Sequence, residues 1–523
     1  MPKQMKPQQP LNEVSQLGQA FQDHVRCARA SLPALTAIAV AIASSIVLTL
    51  SGCASSAGIG SSAQVIVPAS IGLDAGANAN DAAPLVVADW WTNFGDSALN
   101  QIVDRALAGN PNLRVAQARL ERAQAAVDLN SSADGLHLNG EANATRQRFS
   151  ANSIYPPPLG GGTYTLGTAQ IGASYEFDFF GKNRAAIEAA IGAQRAAQAE
   201  VQAARIMLAS NVARTYVQLG RLFAQREVAQ RSLTQRDEIL ALIRQRVSGG
   251  LDTNVELRQG EGALPESRQL IEQLDEQIAL ARHALAALTA QAPSAYDALV
   301  VPLRSVQAVP VPDALPADLL GRRADISAAR WRIEAAASDV KSAKASFYPN
   351  INLSAFVGLA SIGLNNLVKA SSEQYGIGPA LTLPIFDGGR LRANLRGKNA
   401  DLDAAIESYN GAVIDAVHDA ADQISSVHGV ERQQVQQASA LAAAESAYDL
   451  ATQRYKAGLG TYLTVLNAEA GVLNQRRLGA DLKARALEVQ IGLIRALGGG
   501  YAGDAKVSGG HVEQVTQTAS AGR

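Results

Sequence analysis

One tight turn is written twice in this chain. Residues 246–261 read RVSGGLDTNVELRQGE and residues 454–469 read RYKAGLGTYLTVLNAE, with Arg, Gly, Leu, Thr and Glu recurring at an offset of 208 (454 − 246). The same offset relates SYEFDFFGK at 174–182 to TLPIFDGGR at 382–390. An internal duplication constrains the fold more than any other feature. Whatever residues 84–290 build, residues 318–500 build again, with 291–317 as the connection.

The repeats are dominated by helix. No proline interrupts 181–264 and none follows Pro384. Residues 181–248 and 389–457 are each expected as a single helix about 100 Å long at 1.5 Å per residue, far beyond the usual three turns. Glycines at 192, 220, 397, 411 and 429 lower local propensity without forbidding this. The GGL and AGL triplets then read as hairpin tips, where glycine leaves the helix at positive φ. Thr253 and Thr461 stand where a hydroxyl caps the restart. In the returning helices, Ile271, Leu274, Ile278, Ala281, Leu285 and Leu288 keep 3-4 spacing, echoed by Leu482, Ala486, Val489, Leu493 and Ala496. This is coiled-coil patterning, and Pro265 is expected to kink the first of them. Ahead of these lies DSALNQIVDRALAGNPNL, a helix capped by Asp96, ended by Gly109 and restarted at Pro111, with Trp90 and Trp91 as anchors.

Four segments alternate with period two: 136–145, 169–179, 350–357 and 374–385. In the second, Ala169, Ile171, Ala173, Tyr175, Phe177 and Phe179 alternate with Gln170, Gly172, Ser174, Glu176 and Asp178. Such strands carry one apolar and one polar face. Their length of roughly ten residues, with longer loops at one end, fits a membrane β-barrel; a soluble sandwich alternates equally well. Four strands cannot enclose an interior, so a barrel requires further copies, and three chains give twelve strands, an even number. The expected fold class is α+β: a trimeric 12-stranded β-barrel, four strands per chain, continued by a long α-helical periplasmic barrel.

At the N-terminus, Arg26 and Arg29 precede an apolar run that ends in Leu50-Ser51-Gly52-Cys53. This reads as an export signal over residues 1–52. LSGC resembles a bacterial lipobox, with Cys53 as the acylated residue, and Ala54 after it favours the outer membrane over the inner. Residues 53–83, rich in Ala, Gly, Ser and Asn, read as a lipidated flexible tether, and 501–523 as a disordered tail. Cys27 leaves with the signal, so no disulfide is expected.

Chemistry has little to work with. The net charge of −1 gives no basic excess for nucleic acid. No His/Cys cluster has metal-ligand spacing, and no nucleophile–base arrangement is legible. Asp387-Gly388-Gly389 lacks further ligands, and Glu176 and Asp178 are explained as a polar strand row. Neither enzyme activity nor a cofactor or metal is expected.

Taken in order, SYEFDFFGKNRAAIEAA, LPADLLGRRADISAAR, KASFYPNINLSAFVG, LPIFDGGR and RYKAGLGTYLTVL resemble the TolC-like outer-membrane efflux proteins over about residues 84–500, and the lipobox points to their NodT-type lipoprotein branch. That resemblance implies a homotrimeric outer-membrane channel, embedded in outer-membrane lipid, that docks to a periplasmic adaptor and an inner-membrane efflux pump. It implies passive export of small toxic compounds. It assigns Arg246, Gly250, Leu251, Thr253, Arg454, Gly458, Leu459 and Thr461 to tips offered to the adaptor, beside their helix-ending role. Asp252, Glu256, Tyr455 and Asn467 become gate candidates. Asn467 departs from the aspartate of many relatives, which weakens an acidic ring, and Ala324 in RRADI stands where proline is usual. The rival reading is a lipid-anchored coiled-coil spacer of the envelope.

Overall fold

The computed structural model describes residues 56–71, 86–152, 154–303 and 321–501. The export signal, Cys53, most of the connection and the C-terminal tail lie outside these residues. Within them run α1 (Ser97–Gly109), α2 (Pro111–Ser132), β1 (His137–Arg148), β2 (Thr163–Phe177), α3 (Lys182–Ser248), α4 (Asn254–Leu288), α5 (Ala324–Ala345), β3 (Asn350–Ile362), β4 (Glu373–Thr382), α6 (Arg390–Lys456) and α7 (Tyr462–Ala496). The duplication holds to the residue: α3 and α6 have 67 residues each and α4 and α7 have 35 each, with all four start and end positions offset by 208. At 1.5 Å per residue, α3 and α6 are each about 100 Å long. Pro265 sits inside α4, which continues through it.

The chain divides into two compact units. The first contains Leu136–Lys182 and Ala343–Gly397 and holds the sheet. Its strands form an antiparallel meander in the order β1-β2-β3-β4. The register sorts side chains cleanly. Leu138, Ala173, Ala355 and Ile377 are successive cross-strand partners on one face, as are Gly140, Ile171, Val357 and Tyr375. On the other face Glu141, Gln170, Gly358 and Gln374 line up, and Gln170 Nε2 donates to Glu141 while Gln374 Nε2 donates to Gln170, both at 3.3 Å. The apolar face is uncovered: Tyr375 is 81% and Ile377 76% exposed.

Several strand limits differ from expectation: β1 runs to Arg148 rather than 145 and β3 to Ile362 rather than 357. β2 starts at Thr163 rather than 169 because the alternation changes parity there, putting Tyr164 and Leu166 on the side of Gln170. It ends at Phe177, where Phe179 and Gly181 turn back to bond Phe177 and Asp178 and Gly181 adopts φ 73°. β4 stops at Thr382, short of 385, since Pro384 has no N–H to give a ladder. Asp387 is no ligand loop but the cap of α6, accepting from Gly389 N at 3.0 Å and Leu391 N at 2.8 Å. Glu176 pairs with Lys182 at 2.7 Å.

The second unit contains Gly60–Gly135, Asn183–Ser342 and the chain from Lys398 onward. Asp96 caps α1 by accepting from Ala98 and Leu99 N–H, and Trp90 and Trp91 are buried with Leu99, Ile102, Val103 and Ala106. The expected seam is the core: Ile271, Leu274, Ile278 and Leu285 of α4 pack in this cluster with Leu219 and Leu222 of α3. Each such burial stabilises by about 1.5–3 kcal/mol. Val489, Leu493 and Ala496 do the same for α7. Small residues bring helices close; a Cβ on Gly192 would sit 3.0 Å from Ala335 on α5. Ala324 begins α5 buried, and its neighbour Arg323 bonds Asp325, Asp419 on α6 and the Ala496 carbonyl on α7.

The tether expected to be flexible over 53–83 is pinned over part of its length. Asp403 of α6 accepts from Ser61 Oγ at 2.5 Å, Ser62 N at 3.0 Å, Ser62 Oγ at 3.1 Å and Ala63 N at 3.2 Å. Asn410, two turns on, exchanges bonds of 2.9 Å with Ile66 N and the Gln64 carbonyl. Composition hides this, because serine hydroxyls and backbone N–H groups serve as donors in any Ala/Gly/Ser-rich strand.

Candidate functional site

Both tips end their helices in the same way. Gly250 at φ 71° and Gly458 at φ 74° are left-handed, the region a Cβ disfavours. Leu251 N–H then donates to the Arg246 carbonyl at 2.9 Å, and Leu459 N–H to the Arg454 carbonyl at 2.8 Å. With the Gly250–Val247 and Gly458–Tyr455 bonds these are Schellman closures. The turn throws Leu251 and Leu459 outward, 69% and 70% exposed, beside exposed Val255 and Leu463.

The restarts differ. Thr253 and Glu256 make a complete capping box: Thr253 Oγ1 accepts from Val255 N at 3.1 Å, and Glu256 accepts from Thr253 N at 2.9 Å. Glu256 is therefore engaged in starting α4. Thr461, expected to cap α7, makes no side-chain cap bond; its hydroxyl lies 3.2 Å from that of Thr464. Asn467 is exposed on α7, and the Arg454 guanidinium donates to the Leu459 carbonyl at 3.3 Å.

Arg246 is turned inward, its side chain largely buried. Its Nε and Nη2 donate to the two Asp252 oxygens at 2.9 and 3.2 Å, and its Nη1 donates to the Tyr455 carbonyl at 3.2 Å. The guanidinium also lies over the Tyr455 ring, 4.7 Å from its centroid. The Tyr455 hydroxyl donates to Asp252 Oδ2 at 2.5 Å. Tyr455 is fully buried, among Ile243, Tyr448, Tyr462 and Val465. Burial resists ionisation of Asp252, but the Arg246 and Tyr455 hydrogen bonds outweigh it and hold the carboxyl below its ordinary range. Burial, then the Asp252 bond, pushes the Tyr455 phenol up, so it stays a donor at all physiological pH. The cluster joins the first hairpin (α3, α4) to the second (α6, α7). Sequence reading singled out three of its members but not that they meet.

A second polar cluster was missed. Ten residues before Arg246, Arg236 Nε donates to Glu469 of α7 at 2.8 Å, and Ser232 Oγ donates to the same oxygen at 3.0 Å. Arg236 Nη1 also reaches the Ala263 carbonyl, Glu266 and Ser267 of α4 at 3.1, 3.3 and 3.0 Å. Glu469 is only 3% exposed. Its recurrence with Glu261 at offset 208 was the available signal, but Glu261 is paired on the surface with Arg258 of its own helix. Further along the same α3–α7 seam, Arg221 and Gln225 reach Asp481 at 3.4 and 2.6 Å.

A family profile described as outer membrane efflux protein matches residues 102–291 and 315–499, one stretch per repeat. The chain belongs to that family. Among relatives of this efflux family, multidrug resistance outer membrane protein MdtQ of Escherichia coli O6:H1 is 35% identical over 420 residues, covering 79% of this chain and 88% of its own. The fusaric acid resistance protein FusA of Burkholderia cepacia is 39% identical over 335 residues, 63% of each chain. Among solved structures, the outer membrane protein VceC of Vibrio cholerae superposes with a TM-score of 0.76 at 37% identity, covering 80% of this chain and all of that one. The fold is thus that of the TolC-like outer-membrane channels, mostly helical with a small sheet. These relatives are efflux proteins and channels, not enzymes. Among the described residues no group of His, Cys, Asp or Glu could hold a metal ion, and no helix is long and apolar enough to cross a membrane.

Proposed function

We propose that three copies of this efflux protein close a 12-stranded barrel and a helical tunnel, forming the outer-membrane exit of a tripartite pump for small toxic compounds. The observation that carries this is the open sheet. Among the described residues β1 and β4 each keep one unpaired edge, and the apolar face is exposed at Leu138, Ile171, Val357, Tyr375 and Ile377. An exposed edge and apolar face are liabilities in water; barrel closure by other copies removes the edges, and lipid covers the face. The Glu141–Gln170–Gln374 side would then line the water-filled bore. The spacer reading leaves that sheet without a purpose.

In this reading the exposed Leu251 and Leu459 tips meet a periplasmic adaptor, the inner-membrane pump supplies the energy, and a lipid at Cys53 adds an anchor in the outer membrane. The Arg246–Asp252–Tyr455 cluster holds the periplasmic entrance shut. The test is the native protein reconstituted in a planar bilayer, with its mass measured in detergent. A trimeric mass and a small conductance that grows in tip variants are expected; a monomer, or no current with the tips released, removes the channel. Cys53→Ser should abolish palmitate labelling, and labelling that persists removes the lipid anchor.

A further inference from the structure

The tip and the Arg236–Glu469 cluster tie the same two hairpins, yet they divide their charges differently. At the tip both ionised groups belong to the first hairpin, Arg246 on α3 and Asp252 in its turn. The second hairpin contributes only Tyr455: a neutral hydroxyl, a carbonyl and a ring face. When the hairpins part there, the Arg246–Asp252 pair stays intact and no charge is stranded. Ten residues along α3 the division is reversed. Arg236 and Glu469 sit on different hairpins, and both donors to Glu469, Arg236 and Ser232, come from α3. Parting them takes Glu469 from both of its donors and separates two opposite charges, so this level resists opening more than the tip, where only neutral groups of the second hairpin let go. Arg236 keeps Glu266 and Ser267 on α4, so it remains fixed to the first hairpin whatever the second one does.

We propose that the Arg236–Glu469 pair is the pivot of entrance opening, the joint that stays closed while the second hairpin swings away from the Tyr455 contact. It rests on the reading of the tip cluster as the closure. Ser232, Arg236 and Glu469 act as positioning residues: they set where along α3 and α7 separation stops, and so how wide the entrance becomes. The duplication supplied only half of this joint. The counterpart of Arg236 at offset 208 is Ala444, so Glu261 meets no arginine from α6 and pairs with Arg258 instead.

Spin-label distances in the reconstituted full-length protein test this. One pair, Ser248→Cys with Leu463→Cys, reports the tips; the other, Gln230→Cys with Ala470→Cys, reports the level of the joint, and all four positions are exposed. In an Asp252→Asn, Tyr455→Phe background the tip distance should widen by several ångströms and the joint distance should stay put. Adding Glu469→Ala, or Glu469→Gln where the alanine protein does not assemble, should let the joint distance widen as well. Equal widening at both levels with Glu469 intact overturns the pivot alone, as does a joint distance indifferent to Glu469. No change at either level overturns the tip closure, and the pivot with it.

Discussion

Tyr455→Phe protein in a planar bilayer is expected to conduct several-fold better than the native protein. The substitution keeps the ring under Arg246 and removes one hydrogen bond to an ionised Asp252. Such a bond contributes about 1.5–3 kcal/mol, roughly a ten- to hundred-fold shift in the closed-to-open ratio. Asp252→Asn should go further, since it weakens the Tyr455 bond and also releases Arg246 from the orientation in which it meets the Tyr455 carbonyl. Acid should mimic it. The Asp252 carboxyl is held below its ordinary 3.8, so its contribution is complete above that value and is lost as the pH falls through the lower folded-state value. Current that rises only below about pH 4, and does not rise in Asp252→Asn, is the expected pattern. An unchanged Tyr455→Phe current would mean that the entrance is held by contacts elsewhere.

Glu469→Ala should destabilise the helical unit by roughly 3 kcal/mol, the low end for removing one partner of a buried pair. The low end applies because Arg236 retains Glu266 and Ser267. Glu469→Gln, which keeps the shape and one acceptor oxygen, should cost less. Denaturant unfolding followed by helical circular dichroism measures both. A loss below about 1 kcal/mol would mark the pair as no better than an exposed salt bridge.

How legible was this in the sequence? The long helices, their tips and the 208-residue repeat were readable because proline, glycine and apolar spacing act locally. Strand limits were readable only while alternation kept its parity; it breaks near Thr168, where Leu166 and Tyr164 take the polar side of β2. Arg246 was placed at the adaptor-facing tip by the resemblance alone. Nothing local says that Tyr455, 209 residues away, lies under its guanidinium. Glu469 was harder still. The repeat marked it, but its burial depends on Arg236, a residue the repeat does not copy.

Asp403 gives the N-terminal strand a mooring, and a mooring shortens a leash. Eight residues (61 − 53) separate Cys53 from Ser61, which fully stretched span at most about 28 Å. In the proposed lipidated form, the acyl group on Cys53 therefore reaches only the patch of bilayer within about that radius of one aspartate.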